Sequence, residues 1–305
     1  MKEFYSHGKL LLSGEYLVLD GALSLAAPTR LGQWLRVRDS NRPGLTWGSL
    51  NPDGSPWFET HFFVEELQTA EPSGSFPSGT RERLKYLLLM CGALNPDFSR
   101  SLRGVEVETL LEFPRQWGLG TSSTLVANLA LWAGIDPYAL LGKTIGGSGY
   151  DVAAAGSEGA IFYQLEEGLP RVAKAPFDPP FSKELFFVYL NKKQDSREAI
   201  SRYRTRRFDK PAAVKQASEF SRQMAVAGEI GSFRKAMDLH EDLIGGILGL
   251  KPVKQRFFPD YPGSIKSLGA WGGDFILATG NLADQDYFRK KGYSVIWSYE
   301  ELILN

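Results

Sequence analysis

The sequence predicts an α+β fold carried by two domains, and three observations lead there. Its 305 residues exceed a usual domain of roughly 100–200. A hydrophobic content of 43% supplies a sizeable core. Strand-like and helix-like patterns are mixed along the chain, with no internal repeat and no low-complexity tract.

Leu10 to Leu19 reads as a strand, a turn at Ser13 and Gly14, and a second strand, closed by a hairpin-type turn at Asp20-Gly21. Leu35 to Val37 and Leu45 to Trp47 are short strand candidates. Leu67 to Gly79 is a Pro/Gly/Ser loop expected to be mobile. A helix starts near Thr80 and runs through RERLKYLLLMCGAL, placing Cys91 in the core with no basic neighbour to make it reactive. Val105 to Leu111 alternates as a half-exposed strand ending at Pro114, and Thr121 to Ala133 is an apolar helix after a glycine turn. Ala160 to Leu165 and Leu185 to Leu190 are strands. Two helices occupy Pro211 to Leu250 and break around Gly228 to Gly231. A glycine-rich turn from Leu268 feeds the strand Phe275 to Ala278, and Tyr293 to Trp297 is the last strand. The domain boundary is expected near residue 170, at Glu167-Gly168 before the PFDPPF stretch, giving domains 1–170 and 171–305.

Thirty-five basic residues balance thirty-five acidic ones, so no global field recruits nucleic acid or an anionic membrane. Cys91 is the only cysteine, and His7, His61 and His240 are scattered, which excludes an internal disulfide and disfavours a zinc site. A reducing, cytoplasmic setting fits. Lys9 and Glu15 interrupt the apolar N-terminus before a signal-peptide core forms, so that segment is expected to stay on the protein. The apolar run Leu125 to Ile135 is shorter than the roughly 20 residues of a membrane-spanning helix.

Four segments carry candidate chemistry. Gly118-Leu119-Gly120-Thr121-Ser122-Ser123 precedes an apolar helix, so its backbone N–H groups and the helix dipole can receive phosphate. The hydroxyls either cap the helix or ligate Mg²⁺, and an ordinary capped turn is the alternative. No Walker pattern is present. Gly147-Ser148-Gly149-Tyr150-Asp151 sets a carboxylate on a glycine turn, as a base or orienting acceptor, or as a cap for the VAAAG segment. Gly8-Lys9 places a cation at a strand, where lysines are usually solvated. Lys266 to Asp274 is a glycine-rich turn that allows close backbone approach to a ligand or another segment, or is simply a packed hairpin.

In order, HGKLLLSGEYLVLDG, PRQWGLGTSS, GSGYDVAAAG and IKSLGAWGGDFIL resemble the motifs of the GHMP kinases, the superfamily of galactokinase, homoserine kinase, mevalonate kinase and phosphomevalonate kinase. The resemblance spans residues 8 to 278, and Gly14-Glu15-Tyr16, Gly147 to Asp151 and Gly272 to Asp274 are most like phosphomevalonate kinases. It implies an N-terminal domain like ribosomal protein S5 domain 2 and a C-terminal ferredoxin-like domain. It also implies an ATP- and Mg²⁺-dependent kinase of a small anionic metabolite, with mevalonate or phosphomevalonate in isoprenoid-precursor synthesis as leading acceptors. A sugar or amino-acid kinase, or a binding protein without turnover, is the alternative.

By the same resemblance, Gly118, Leu119, Gly120, Thr121, Ser122 and Ser123 would wrap the ATP phosphates, with Ser122 reaching Mg²⁺. Asp151 would be the catalytic aspartate and Lys9 the charge-neutralising lysine. Glu15, Ser148, Gly149, Gly269 and Ala270 would line the acceptor side. So would Lys192, Ser196 and Arg197, from the segment NKKQDSR with its further cation Lys193. Gly269 to Gly273 would brace the phosphate loop and the acceptor. Phosphoryl transfer is largely positioning plus charge neutralisation, which these groups supply. Three departures stand out: His7 replaces a usual Pro, Trp271 replaces a Gly and would narrow or block the acceptor pocket, and no acid matches the Mg²⁺-binding glutamate of mevalonate kinases, Asp136 lying too far back. The base pocket is expected in the half of the chain holding Trp47 and Trp57.

Overall fold

The computed structural model describes residues 1–67, 74–192, 196–271 and 273–305, without the side chains of Ser196 and Arg197. Part of the expected mobile loop, together with Lys193 and Gly272, therefore lies outside the described residues. The chain forms two compact units, each from separate stretches. Met1–Gly8, Leu31–Arg115 and Gly120–Gly156 make the first; Lys9–Arg30, Gln116–Leu119 and Ser157–Asn305 make the second.

Strands β1 (Lys2–Ser13) and β2 (Ser24–Asp39) pair with each other and contribute to both units. In the first unit, β3 (Leu45–Leu50) and β4 (Pro56–Phe62) make a hairpin. Helices α1 (Thr80–Leu94) and α2 (Pro96–Ser101), strand β5 (Val105–Leu111), and helices α3 (Thr121–Ala133), α4 (Pro137–Lys143) and α5 (Tyr150–Ala155) complete it. The strand order is β4-β3-β5-β2, with β3 parallel to β5. The VEVETLL sequence of β5 alternates buried and half-buried, because successive side chains of a strand point to opposite faces. Its inward Val105 and Val107 pack with Trp47, Leu84, Leu88 and Val126 in the core of this unit. Cys91 lies in the same core, where burial pushes its thiol up to about 12 and leaves it inert.

The second unit continues with β6 (Ile161–Glu166), β7 (Leu169–Lys174), β8 (Leu185–Tyr189), α6 (Ser196–Arg204), α7 (Lys210–Ala225), α8 (Ile230–Leu248) and α9 (Val253–Phe257). It ends with β9 (Ile265–Ser267), β10 (Phe275–Thr279), α10 (Leu282–Lys290), β11 (Ile296–Ser298) and α11 (Tyr299–Leu302). One antiparallel sheet runs β11-β8-β10-β9.

Two sequence expectations need correction here. The single boundary near residue 170 is not found: Glu167 (φ 51°) and Gly168 (φ 79°) are the two-residue tip of the β6–β7 hairpin, with the paired left-handed residues that such tight turns require. Ser24 to Ala26 of β2 pair with Tyr163 to Ile161 of β6, which draws Lys9–Arg30 into the second unit. The second strand expected at Leu17 to Leu19 is a 3₁₀ turn, Leu17–Asp20. Gly14 (φ 90°) and Tyr16 (φ 62°) break the strand, and Leu17 then packs with Tyr203, Ala217 and Ile244 of the helical layer.

Candidate active site

In the first unit, the glycine turn before α3 is built for backbone exposure. Gly120 occupies the N-cap at φ 97° and has no side chain to cover the first N–H groups of the helix. The Ser123 hydroxyl turns back and donates to the Gly120 carbonyl at 2.9 Å, and Thr124 donates to Gln33 Oε1 at 2.7 Å. Ser122 is exposed and Thr121 half-buried.

A second helix start carries Asp151. Gly149 (φ 89°) is the N-cap of α5, so Asp151 sits inside the first turn rather than at the cap position. Its Oδ1 accepts from the Val152 N–H at 3.1 Å, and the residue is half-buried. Burial, then Asp136 and Asp151, push the Tyr138 phenol up, which places the Asp151 charge near that ring. Asp136 itself caps α4 by accepting from the Tyr138 N–H at 3.0 Å. Ser148 is half-buried beside these residues.

In the second unit, Lys9 on β1 holds the other half of the glycine turn. Its backbone N–H donates to the Leu119 carbonyl at 2.9 Å and its Nζ to the Gly118 carbonyl at 3.3 Å. The same stretch is fixed from below: Tyr189 donates to the Gln116 carbonyl at 3.1 Å, and Trp117 packs against Tyr189, Phe275 and Trp297. Gly269 (φ 62°) makes the turn after β9, followed by buried Ala270, and Lys192 is exposed after β8. The side chains of Ser196 and Arg197 lie outside the described residues.

Glu15 is a correction. It was expected to face the acceptor, but it is fully buried and its carboxylate is bonded to the Lys266 ammonium, also fully buried. An ion taken from water needs such a partner, so Glu15 is committed to the interior. Burial pushes its carboxyl up and Lys266 pulls it back. Two adjacent residues of α8 complete the cluster, and sequence reasoning missed both. His240 Nε2 accepts from the Gly14 N–H at 2.8 Å; burial and then Lys266 hold its imidazole well below the usual range, so it is neutral and its 3.6 Å approach to Glu15 is not an ion pair. Glu241 accepts from the Ser267 N–H at 3.1 Å and the Ser267 hydroxyl at 2.6 Å. One face of α8 thus braces both Gly14 of the first motif and Ser267 of the glycine-rich turn.

Burial raises the Glu241 carboxyl to about 7, Lys266 and Ser267 opposing. The folded state therefore holds a proton that the unfolded chain releases above its ordinary value of 4.5, so stability falls as pH rises through that window. The expected loss between about pH 5.5 and about pH 8 is on the order of 2 kcal/mol. Urea melts at the two pH values check this: Glu241→Gln should flatten the difference, and an unchanged pH slope in that variant would remove Glu241 as its source.

Trp271 has φ 55° and its ring is buried with Tyr16, Ile244 and Leu248 in the helical core, where a Cβ on Gly245 would stand 3.0 Å from its Cη2. The bulky residue in the turn is thus spent on packing.

Among the described residues no cluster of three His, Cys, Asp or Glu could hold a metal ion. A Mg²⁺ ion here would rest on phosphate oxygens and the Ser122 hydroxyl, which suits an ion that keeps several waters and few protein ligands. Among the described residues no helix is long and apolar enough to cross a membrane.

No family model matches the chain, and no curated protein sequence does. Solved structures do. Mevalonate kinase from Methanococcus jannaschii superposes with a TM-score of 0.69 at 16% identity, over 100% of this chain and 98% of that one. Phosphomevalonate kinase from Streptococcus pneumoniae, solved with phosphomevalonate and AMPPNP, gives 0.70 at 15% identity, over 98% and 100%. Galactokinase from Lactococcus lactis, solved with galactose, gives 0.65 at 13% identity, over 99% and 93%. The chain has the GHMP kinase fold. Neighbours of this fold include kinases of both mevalonate-type acids and sugars.

Proposed function

We propose that the protein is an ATP- and Mg²⁺-dependent kinase of a small anionic metabolite, with mevalonate and phosphomevalonate as the first acceptors to test. The observation that carries the reading is the glycine turn before α3, whose N-cap is a left-handed glycine and whose preceding carbonyl, Gly118, receives the Lys9 ammonium. Backbone N–H groups at a helix start suit phosphate. Gly118 to Ser123 would hold the nucleotide phosphates, Lys9 would neutralise charge on the transferred group, and Asp151, with Ser148, Gly149, Gly269 and Ala270, would orient the acceptor. Mg²⁺, when bound, would supply further neutralisation of phosphate charge.

The acceptor decides what Asp151 does. An alcohol must lose its proton as it attacks and asks Asp151 to serve as base; a phosphate monoester with a second pKa near ~6 is already ionised at neutral pH and asks only for orientation. The assignment of the units to an S5-like and a ferredoxin-like domain, a cytoplasmic setting and a place in isoprenoid-precursor synthesis belong to the same proposal. The rival, a binding protein without turnover, drew its support partly from Trp271, whose ring is used in the core.

A panel of mevalonate, phosphomevalonate, galactose and homoserine, with ADP release measured for each, tests the reading. No stimulation by any acceptor would overturn it. If the basic segment faces an anionic acceptor, Lys192→Ala with Arg197→Ala should raise the acceptor KM by about tenfold or more and the ATP KM far less, the difference shrinking at high salt. An unchanged acceptor KM would make the segment a solvated loop.

A further inference from the structure

We propose that Asp274 is a positioning residue that locks the first half of the glycine turn, at Gly118, while its backbone anchors Lys192. The inference rests on reading that turn as the phosphate-binding element, and every contact it uses lies within the second unit. Asp274 follows Gly273 just before β10 and has a left-handed backbone, φ 53°, a conformation unfavourable for a non-glycine residue. Two backbone bonds hold it there. Its N–H donates to the Lys192 carbonyl at 2.6 Å, and its carbonyl accepts from the Leu190 N–H at 2.8 Å.

Its side chain occupies the space over Gly118. A Cβ added to Gly118 would stand 2.5 Å from the Asp274 Cγ and 2.7 and 2.8 Å from its carboxylate oxygens, while one on Gly269 would be 3.7 Å from Oδ2. Gly118 is thus bounded by the Asp274 carboxylate on its Cα side and by the Lys9 ammonium at its carbonyl. Gly118 also has φ 71°, a region open to glycine in both directions, so without that wall the peptide can swing away from Lys9. Through one residue, the segment carrying Lys192 and the turn carrying Gly118 are kept in register.

Two variants separate side chain from backbone. Asp274→Gly suits φ 53° and keeps both backbone bonds while deleting the wall; Asp274→Asn keeps the shape, and asparagine tolerates the left-handed region. Hydrogen exchange of the peptide covering 116–120 should rise about tenfold in D274G and stay near wild type in D274N, with the thermal midpoint little changed. The ATP KM should rise about tenfold in D274G, and the acceptor KM should not move. Unchanged exchange at 116–120 in D274G would overturn the proposal, as would a D274N variant as impaired as D274G, since charge and not shape would then be responsible. Faster exchange in D274G with no AMPPNP binding by the wild-type protein would leave the positioning role standing and sink the kinase reading instead.

Discussion

Lys9→Ala and Asp151→Asn are each expected to lower kcat by about 10²–10⁴-fold while changing ATP affinity much less. The reasoning is electrostatic. Phosphoryl transfer gives the protein little bond-making of its own, so the barrier falls through groups already fixed where charge is handled. Lys9 is held by two bonds from one residue, N–H to Leu119 and Nζ to Gly118, so its ammonium is not a waving surface charge. Asp151 is held at a helix start and by the bond from the Val152 N–H. Asn preserves size and one acceptor oxygen at position 151, so a loss in that variant reports the charge or the proton rather than packing. ADP release under saturating substrates gives kcat, and calorimetry with AMPPNP gives affinity. Wild-type kcat in either variant would return that residue to a purely structural role.

Gly120→Ala should weaken nucleotide binding by about a hundredfold or more, because two charge-assisted hydrogen bonds from backbone N–H groups, at about 1.5–3 kcal/mol each, depend on close approach at the start of α3. A methyl at φ 97° also strains the backbone, so loss of binding alone would be ambiguous. The other end of the same helix supplies the control. Gly134 closes α3 at φ 63°, and a Cβ there meets nothing within 4 Å. Gly134→Ala should therefore carry a similar backbone cost and leave AMPPNP affinity intact. Equal losses in both variants would attribute the effect to helix destabilisation and remove the phosphate-binding assignment.

What the sequence revealed was local. The limits of α1 and α3 were legible because each begins beside a glycine and continues as an apolar run, and α3 also ends at one. The β5 alternation was legible because its period is two residues. Lys9, Asp151 and the glycine turn were singled out by motif order, and their roles belong to the proposed function. Glu15 was misread, and its buried cluster with His240, Glu241 and Lys266 was missed, for a shared reason: Glu15 meets Lys266 across 251 positions, and Gly14 meets His240 across 226. No window of sequence contains such a pair, and an acid beside a motif looks the same whether it faces a ligand or a buried lysine. Strand β7 was missed because its side chains are largely exposed and carry no apolar period, and α10 because its signal is an Asn281–Asp284 capping box rather than an apolar face.

The separation of Glu15 from Lys266 also sets a timetable for synthesis. At roughly 5–20 residues per second, a ribosome takes on the order of ten to fifty seconds to travel from one to the other. For most of that interval the Lys9–Arg30 stretch, with Leu11, Leu12, Leu17 and Leu25 destined for full burial, lacks the α7 and α8 helices that pack against Leu17, and its ion partner follows later still. The N-terminal segment is therefore held in waiting as an apolar ribbon until the last fifth of the chain emerges. Slowing translation before residue 266, or depleting the chaperones that shield nascent apolar segments, should cost this protein more soluble yield than one whose buried pairs are close in sequence.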